Sequence, residues 1–128
     1  MPTPDDLRRL ALALPEACED QHRRRPAFRV RGRIFAMLGV DGNPALFPGL
    51  GREAIAVVKL DREDQLNLAA AHPESLRPTE TYGHHGWTYV RLHALDEATL
   101  ATVVRLAWLH VAPKRLSARA IVADDGAG

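Results

Sequence analysis

Two predicted β-strands are joined by the dipeptide Arg31-Gly32, and this arrangement restricts the fold more than any other feature. Residues 28–31 alternate between apolar and basic side chains, and residues 33–40 form a mostly apolar run that is typical of a buried strand. Glycine readily adopts the positive φ that a two-residue hairpin turn needs. A turn of two residues reverses the direction of the chain, so the two strands must pair antiparallel. The early part of the chain predicts an antiparallel sheet.

The other elements follow from periodicity and from the residues that start and stop helices. Thr3 and Pro4 predict a helix start, and Pro15 ends that helix after an apolar stripe. The stretch 16–25 predicts a loop, and the stretch 76–86 is rich in turn residues. The predicted helices are 4–14, 62–71 and 97–112, and the predicted strands are 27–30, 33–40, a short 45–47, 54–60 and 87–92.

The order of these elements, α-β-β-(β)-β-α-β-α, predicts an α+β fold. A two-layer sandwich results when helices cover one face of an antiparallel sheet. The last helix has the clearest apolar stripe, formed by Leu100, Val103, Val104, Ala107, Trp108 and Val111. A chain of 128 residues suits one hydrophobic core. We therefore expect a single domain over residues 1–116 and a flexible tail over residues 117–128.

Six arginines lie within eleven residues, although the formal net charge of the chain is only +1. Strand alternation places Phe28 and Val30 on one face and Arg29 and Arg31 on the other. A basic patch on a neutral protein can bind phosphates, so the cluster predicts weak, non-specific binding to a nucleic-acid backbone. The competing interpretation is a solvated face whose arginines pair with Glu16, Glu19, Asp20 or Glu53. The six arginines are Arg23, Arg24, Arg25, Arg29, Arg31 and Arg33.

Motifs along most of the chain resemble those of the MmcQ/YjbR family. The N-terminal half contains LPE at 14–16, RPAFRV at 25–30 and GRIFA at 32–36. The C-terminal half contains RP at 77–78, GWTYVRL at 86–92, AW at 107–108 and PK at 113–114. The resemblance, over residues 5–116, implies an α/β sandwich of the secretion-chaperone type and a DNA-binding role. It supplies no catalytic or binding residue. In the last helix this chain has Arg105-Leu106-Ala107-Trp108, where a polar residue followed by Tyr is frequent in the family.

Two other functions remain open at this point. The chaperone-like fold favours, by analogy, a protein-interaction module that uses the basic face or an exposed sheet edge. A small-molecule pocket between the sheet and the last helix is the other alternative. The apolar patterns around both tryptophans favour places in the core instead. The residues that would line this pocket are Trp87, Tyr89, Trp108 and His85.

The sequence offers no catalytic or metal-binding motif. Cys18 is the single cysteine, and its acidic neighbours disfavour a thiolate. His84 and His85 are adjacent, so they point apart on an extended chain and do not make a metal pair. We therefore expect no enzymatic activity, no metal and no cofactor. The absence of a signal peptide and of a long apolar run predicts a cytoplasmic protein without membrane contact. Either a monomer or a homodimer, formed through the sheet edge or the last helix, is expected.

Overall fold

The computed structural model describes residues 2–40, 51 and 54–116. Three α-helices lie wholly within this part of the chain, and residues 114–116 are also helical; no helix here is long and apolar enough to cross a membrane. The helices are α1 (Pro4–Leu12), α2 (Arg62–Ala71) and α3 (Glu97–Val111). The strands described are β1 (Ala17–His22), β2 (Arg25–Val30), β3 (Arg33–Leu38), β4 (Ile55–Lys59), β5 (Leu76–Pro78) and β6 (Trp87–Arg91).

The six strands form one sheet in the order β1-β2-β3-β4-β6-β5, and each neighbouring pair is antiparallel. The helices pack on one side of this sheet. The predicted α+β sandwich is therefore confirmed. The observed element order, α-β-β-β-β-α-β-β-α, differs from the predicted order by the strands β1 and β5.

The predicted hairpin is confirmed at Arg31-Gly32. The φ angle is 51° at Arg31 and 80° at Gly32, so both turn residues are left-handed. Two such residues give a turn whose twist matches that of paired strands. Val30 lies opposite Arg33 across the turn. Phe28 and Val30 are fully buried on the side that carries the helices, as the alternation predicts.

The stretch 16–25 contains β1 and its turn, so the prediction of a loop there is wrong. β1 pairs along its whole length with β2. Most of its side chains are exposed because it is an edge strand, and it therefore has no apolar alternation that would reveal it. Arg23-Arg24 forms the turn between β1 and β2, with φ angles of 52° and 67°.

The second difference is β5, which pairs with β6 within the stretch predicted as turns. It is three residues long, and Leu76 is its one buried residue. A strand this short contains too few residues to show an alternation of apolar and polar side chains. The predicted strand at 45–47, the turn signal at 41–44 and the tail at 117–128 lie outside the described residues.

The main core lies between the sheet and the helices. The apolar stripe predicted for α3 is confirmed, because all six of its residues are buried. Trp108 is 1% exposed, and its indole Nε1 donates a hydrogen bond to the carbonyl oxygen of Pro15 at 3.0 Å. Thr3 caps α1 as predicted, since its hydroxyl accepts from the backbone N–H of Asp6 at 3.3 Å. The Trp108 hydrogen bond ties α3 to the segment that follows α1, and the Thr3 cap stabilises the start of α1.

No helix of the described residues packs on the opposite surface of the sheet, which is called here the helix-free face. This face is also apolar at its centre. Strand pairing aligns one row of its residues across all six strands, with a charged residue at each end. That row is Asp20, Ala27, Met37, Val57, Tyr89 and Arg77. A second buried cluster on this face consists of Ala27, Met37, Ala54, Ile55, Val57 and Tyr89. The apolar middle and charged margins make this face the candidate for binding.

Candidate functional site

The six arginines do not converge on one patch. Arg23 and Arg24 occupy the β1–β2 turn, whereas Arg31 and Arg33 lie at the β2–β3 turn. These turns are at opposite ends of β2, which is six residues long. Five steps of about 3.3 Å place the two ends of the strand roughly 17 Å apart. The cluster in the sequence therefore becomes two separate groups in the fold.

Two of the arginines are engaged by acidic residues of the same sheet. Arg29 Nε lies 2.9 Å from an oxygen of Asp20, and Arg29 Nη1 donates to the carbonyl oxygen of Gly32 at 2.9 Å. Arg31 contacts both carboxylate oxygens of Glu16, at 2.8 and 2.9 Å. The hydrogen bond with Glu16 raises the pKa of Arg31. Two of the acids expected by the competing interpretation are thus partners of the cluster.

A third acid pairs elsewhere. Glu19 accepts a hydrogen bond from Arg8 Nε at 2.9 Å, and this bond links the edge strand β1 to α1. Glu53 lies outside the described residues. Arg23, Arg24 and Arg33 are exposed and form no ion pair within residues 2–40, 51 and 54–116. The exposed arginines of the cluster therefore lie at the two turns.

A cleft of about 250 Å³ opens on the helix-free face. Its apolar floor contains Met37, Val57 and Tyr89, which are at most 8% exposed. Two further aromatic residues, Trp87 and Tyr82, also line it, and Tyr82 is 60% exposed. Its polar lining comes from the β1–β2 hairpin and from the segment before the 3-10 turn Gly83–His85. These polar residues are His22, Arg23, Arg25, Thr79, Glu80 and Thr81.

A hydrogen bond between Tyr89 and Glu80 connects the floor of the cleft to its rim. The Tyr89 hydroxyl donates to Glu80 Oε2 at 2.6 Å. Burial, assisted by this carboxylate, raises the pKa of Tyr89 to about 12. Tyr89 is therefore neutral at physiological pH and acts as the donor. Glu80 is held in place as an acceptor beside the cleft.

The fold separates the residues that the sequence analysis assigned to one pocket. Trp87 and Tyr89 line the cleft, whereas Trp108 belongs to the core on the other side of the sheet. His85 is exposed in the 3-10 turn Gly83–His85, with its ring 4.0 Å from that of His84, and it is not among the cleft-lining residues. The space between sheet and α3 is filled by packed side chains rather than by a pocket containing Trp87.

Sequence reasoning missed the contribution of the β1–β2 hairpin to this site. His22 and Arg23 reach the cleft because β1 folds back along β2. Arg23-Arg24 gave no signal of a turn, because no glycine or asparagine marks the left-handed conformation there. Tyr82 was also missed, because it lies in a turn-rich stretch that has no hydrophobic periodicity.

Gly86 fixes the position of Trp87 at the cleft wall. Its φ is 95°, and a Cβ there would lie 1.9 Å from the carbonyl oxygen of Leu60. The Leu60 N–H donates to the Gly86 carbonyl at 2.9 Å. The ammonium of Lys59 lies 5.8 Å from the centroid of the Trp87 ring, within cation–π range. These contacts define the start of β6 and the orientation of its first side chain.

Comparisons with known proteins match both the sequence and the fold. The family model YjbR matches residues 12–110. The crystal structure of the Deinococcus radiodurans protein DR2400, described with the domain DUF419, is similar with a TM-score of 0.70 and 25% sequence identity. This similarity covers 89% of the chain and 81% of DR2400. No curated protein matches the chain. The resemblance found in the motifs is confirmed, and the chain belongs to the YjbR family.

Proposed function

We propose that this protein binds nucleic acid weakly and without catalysis, through contacts from arginines to backbone phosphates. The observation that carries the proposal is the pair Arg23 and Arg24, which are exposed together in the β1–β2 turn. Within the described part of the chain neither forms an ion pair. Guanidinium groups match phosphate oxygens in bidentate geometry. The DNA-binding role implied by the family resemblance agrees with this proposal.

Arg33 extends the proposed surface to the other end of β2. It is exposed at the first position of β3. The roughly 17 Å between the ends of β2 corresponds to about five rises of 3.4 Å along duplex DNA. The two groups would therefore meet phosphates about five nucleotides apart. Arg23, Arg24 and Arg33 together are named the arginine surface.

Arg29 and Arg31 are left out of the arginine surface because carboxylates already engage them. Asp20 and Glu16 would compete with any phosphate for the same guanidinium donors. Contacts from the arginine surface to phosphates would fix the position of the protein but carry no base preference. The expected binding is therefore weak, independent of sequence and sensitive to salt.

A salt titration with duplex DNA tests this function. Three phosphate contacts predict a slope of about −2.7 when the logarithm of the association constant is plotted against that of salt concentration. Replacing Arg23 and Arg24 with Asn removes two contacts, so the slope should become shallower by about 1.8. Asn tolerates positive φ better than most residues, which keeps the turn intact.

The matched control is Arg31→Asn compared with the single variant Arg23→Asn. Both positions are exposed, their φ angles are 51° and 52°, and each change removes one positive charge. Arg31 differs in that Glu16 already engages it. Arg23→Asn should make the slope shallower by about 0.9, and Arg31→Asn should leave it nearly unchanged. Equal effects of the two variants would contradict the proposed surface.

A further inference from the structure

We propose that the cleft on the helix-free face binds a small planar aromatic molecule that carries one anionic group. This inference goes beyond nucleic-acid binding and does not depend on it. Its basis is the combination of three aromatic residues with arginine and carboxylate groups around one cavity. The residues that carry the argument are Trp87, Tyr82, Tyr89, Arg23 and Glu80.

The size and lining of the cleft favour a flat ligand of few atoms. Its volume of about 250 Å³ is below the range of roughly 300–1,000 Å³ that drug-sized ligands occupy. The floor of Met37, Val57 and Tyr89 offers apolar contact, and Trp87 is half-buried beside it. Tyr82 is 60% exposed although it is aromatic. Aromatic rings gain free energy from offset or edge-to-face contacts with another ring, in addition to the burial of apolar area.

The charge of the rim favours an anion. Arg23 lines the cleft, is exposed, and forms no ion pair within the described residues. Arg25 and His22 line the same side. A carboxylate or phosphate at this rim would receive a charge-assisted hydrogen bond, which is stronger than one between neutral groups.

The carboxylate of Glu80, on the same rim, favours a hydrogen-bond donor on the ligand. Glu80 is held by the hydroxyl of Tyr89 at 2.6 Å, and an ionised carboxylate accepts hydrogen bonds but cannot donate them. An anion placed against Glu80 would be repelled, so the anionic group belongs at Arg23. An N–H or O–H on the ring would instead complement Glu80. The ligand class is therefore an aromatic acid with a donor substituent.

The test uses 2-aminobenzoate as the probe, because it combines a ring, a carboxylate and an amine. The two tryptophans give two indole N–H resonances in a nitrogen-proton correlation spectrum. Trp87 lines the cleft and Trp108 is buried across the sheet, so the second indole is an internal control. We expect the Trp87 resonance to shift with saturation while the Trp108 resonance stays in place. No shift at Trp87, or equal shifts at both indoles, would overturn the proposal.

Neutral and variant controls test the role of charge. The neutral analogue 2-aminobenzamide should bind the unaltered protein about tenfold more weakly, as expected for loss of one charge-assisted hydrogen bond. Arg23→Asn should weaken 2-aminobenzoate binding about tenfold, and Arg31→Asn should not change it. Equal affinities for the two probes, or equal affinities of the two variants, would overturn the proposal. A comparison of phenyl phosphate with benzoate shows whether the cleft prefers a phosphate or a carboxylate. Tighter binding of phenyl phosphate would indicate that Arg23 binds a phosphate group. These probes contain no nucleic acid, so failure of this test is separate from failure of the salt titration.

Discussion

At the scale of single residues, neighbouring carboxylates decide which arginines can meet an external ligand. Arg29 and Asp20 sit diagonally across the β1–β2 pair, since Arg29 lies opposite Cys18. Diagonal neighbours on one face of a sheet are within reach of long side chains. The sequence could suggest Asp20 and Glu16 as partners, but the choice among the acids depends on a strand that the sequence did not reveal. The sequence shows how many arginines there are. Which of them form ion pairs depends on the register of β1 against β2.

Tyr89 provides a pH prediction at the same scale. Its pKa is raised from 10.0 to about 12, first by burial and then by Glu80. The folded state therefore binds the hydroxyl proton more tightly than the unfolded state does. This contribution to stability is complete below about pH 10 and is lost as pH rises through about 12. Urea unfolding from pH 9 upward should show this loss, and Tyr89→Phe should lack it. The same pH dependence in both proteins would contradict the assignment to Tyr89.

At the scale of elements, the turns at the two ends of β2 hold the exposed arginines of the cluster. Arg23, Arg24 and Arg31 have positive φ, which is uncommon for residues other than glycine. The β2–β3 turn was predictable because Gly32 marks it. The β1–β2 turn was not, because neither of its residues is a usual turn former. An edge strand with polar side chains and a turn without glycine together account for the missed hairpin.

Gly86 yields a prediction about the start of β6. Gly86→Ala places a Cβ 1.9 Å from the Leu60 carbonyl oxygen at a φ of 95°, so the backbone must move. We expect a loss of about 3 kcal/mol in the free energy of unfolding. Gly32→Ala is the matched control, since its φ is 80° but nothing lies within 4 Å of the added Cβ. That change should cost about 1–2 kcal/mol from backbone strain alone. Urea unfolding measures both, and equal losses would show that the Leu60 contact is unimportant.

At the scale of the whole molecule, the sequence predicted the layers but not the second apolar face. The helix stripe of α3 and the β2–β3 turn were enough to predict helices on an antiparallel sheet. The cleft depends on residues from separate strands, such as Met37, Val57 and Tyr89, which strand pairing brings into one row. Alternation within one strand cannot show such a row, because the register between strands is not a local property. Trp87 and Tyr89 were therefore predictable as neighbours, whereas the position of Trp108 across the sheet was not.

The arginine surface is the central claim, and arginine side-chain resonances test it most directly. A short DNA duplex would be titrated into protein labelled with nitrogen-15 while the Nε–H signals of the arginines are followed. We expect the signals of Arg23, Arg24 and Arg33 to shift with DNA concentration and to return when salt is added. The signals of Arg29 and Arg31 should stay in place, because Asp20 and Glu16 engage these side chains. Shifts confined to Arg29 and Arg31, or no shift at any arginine, would contradict the account.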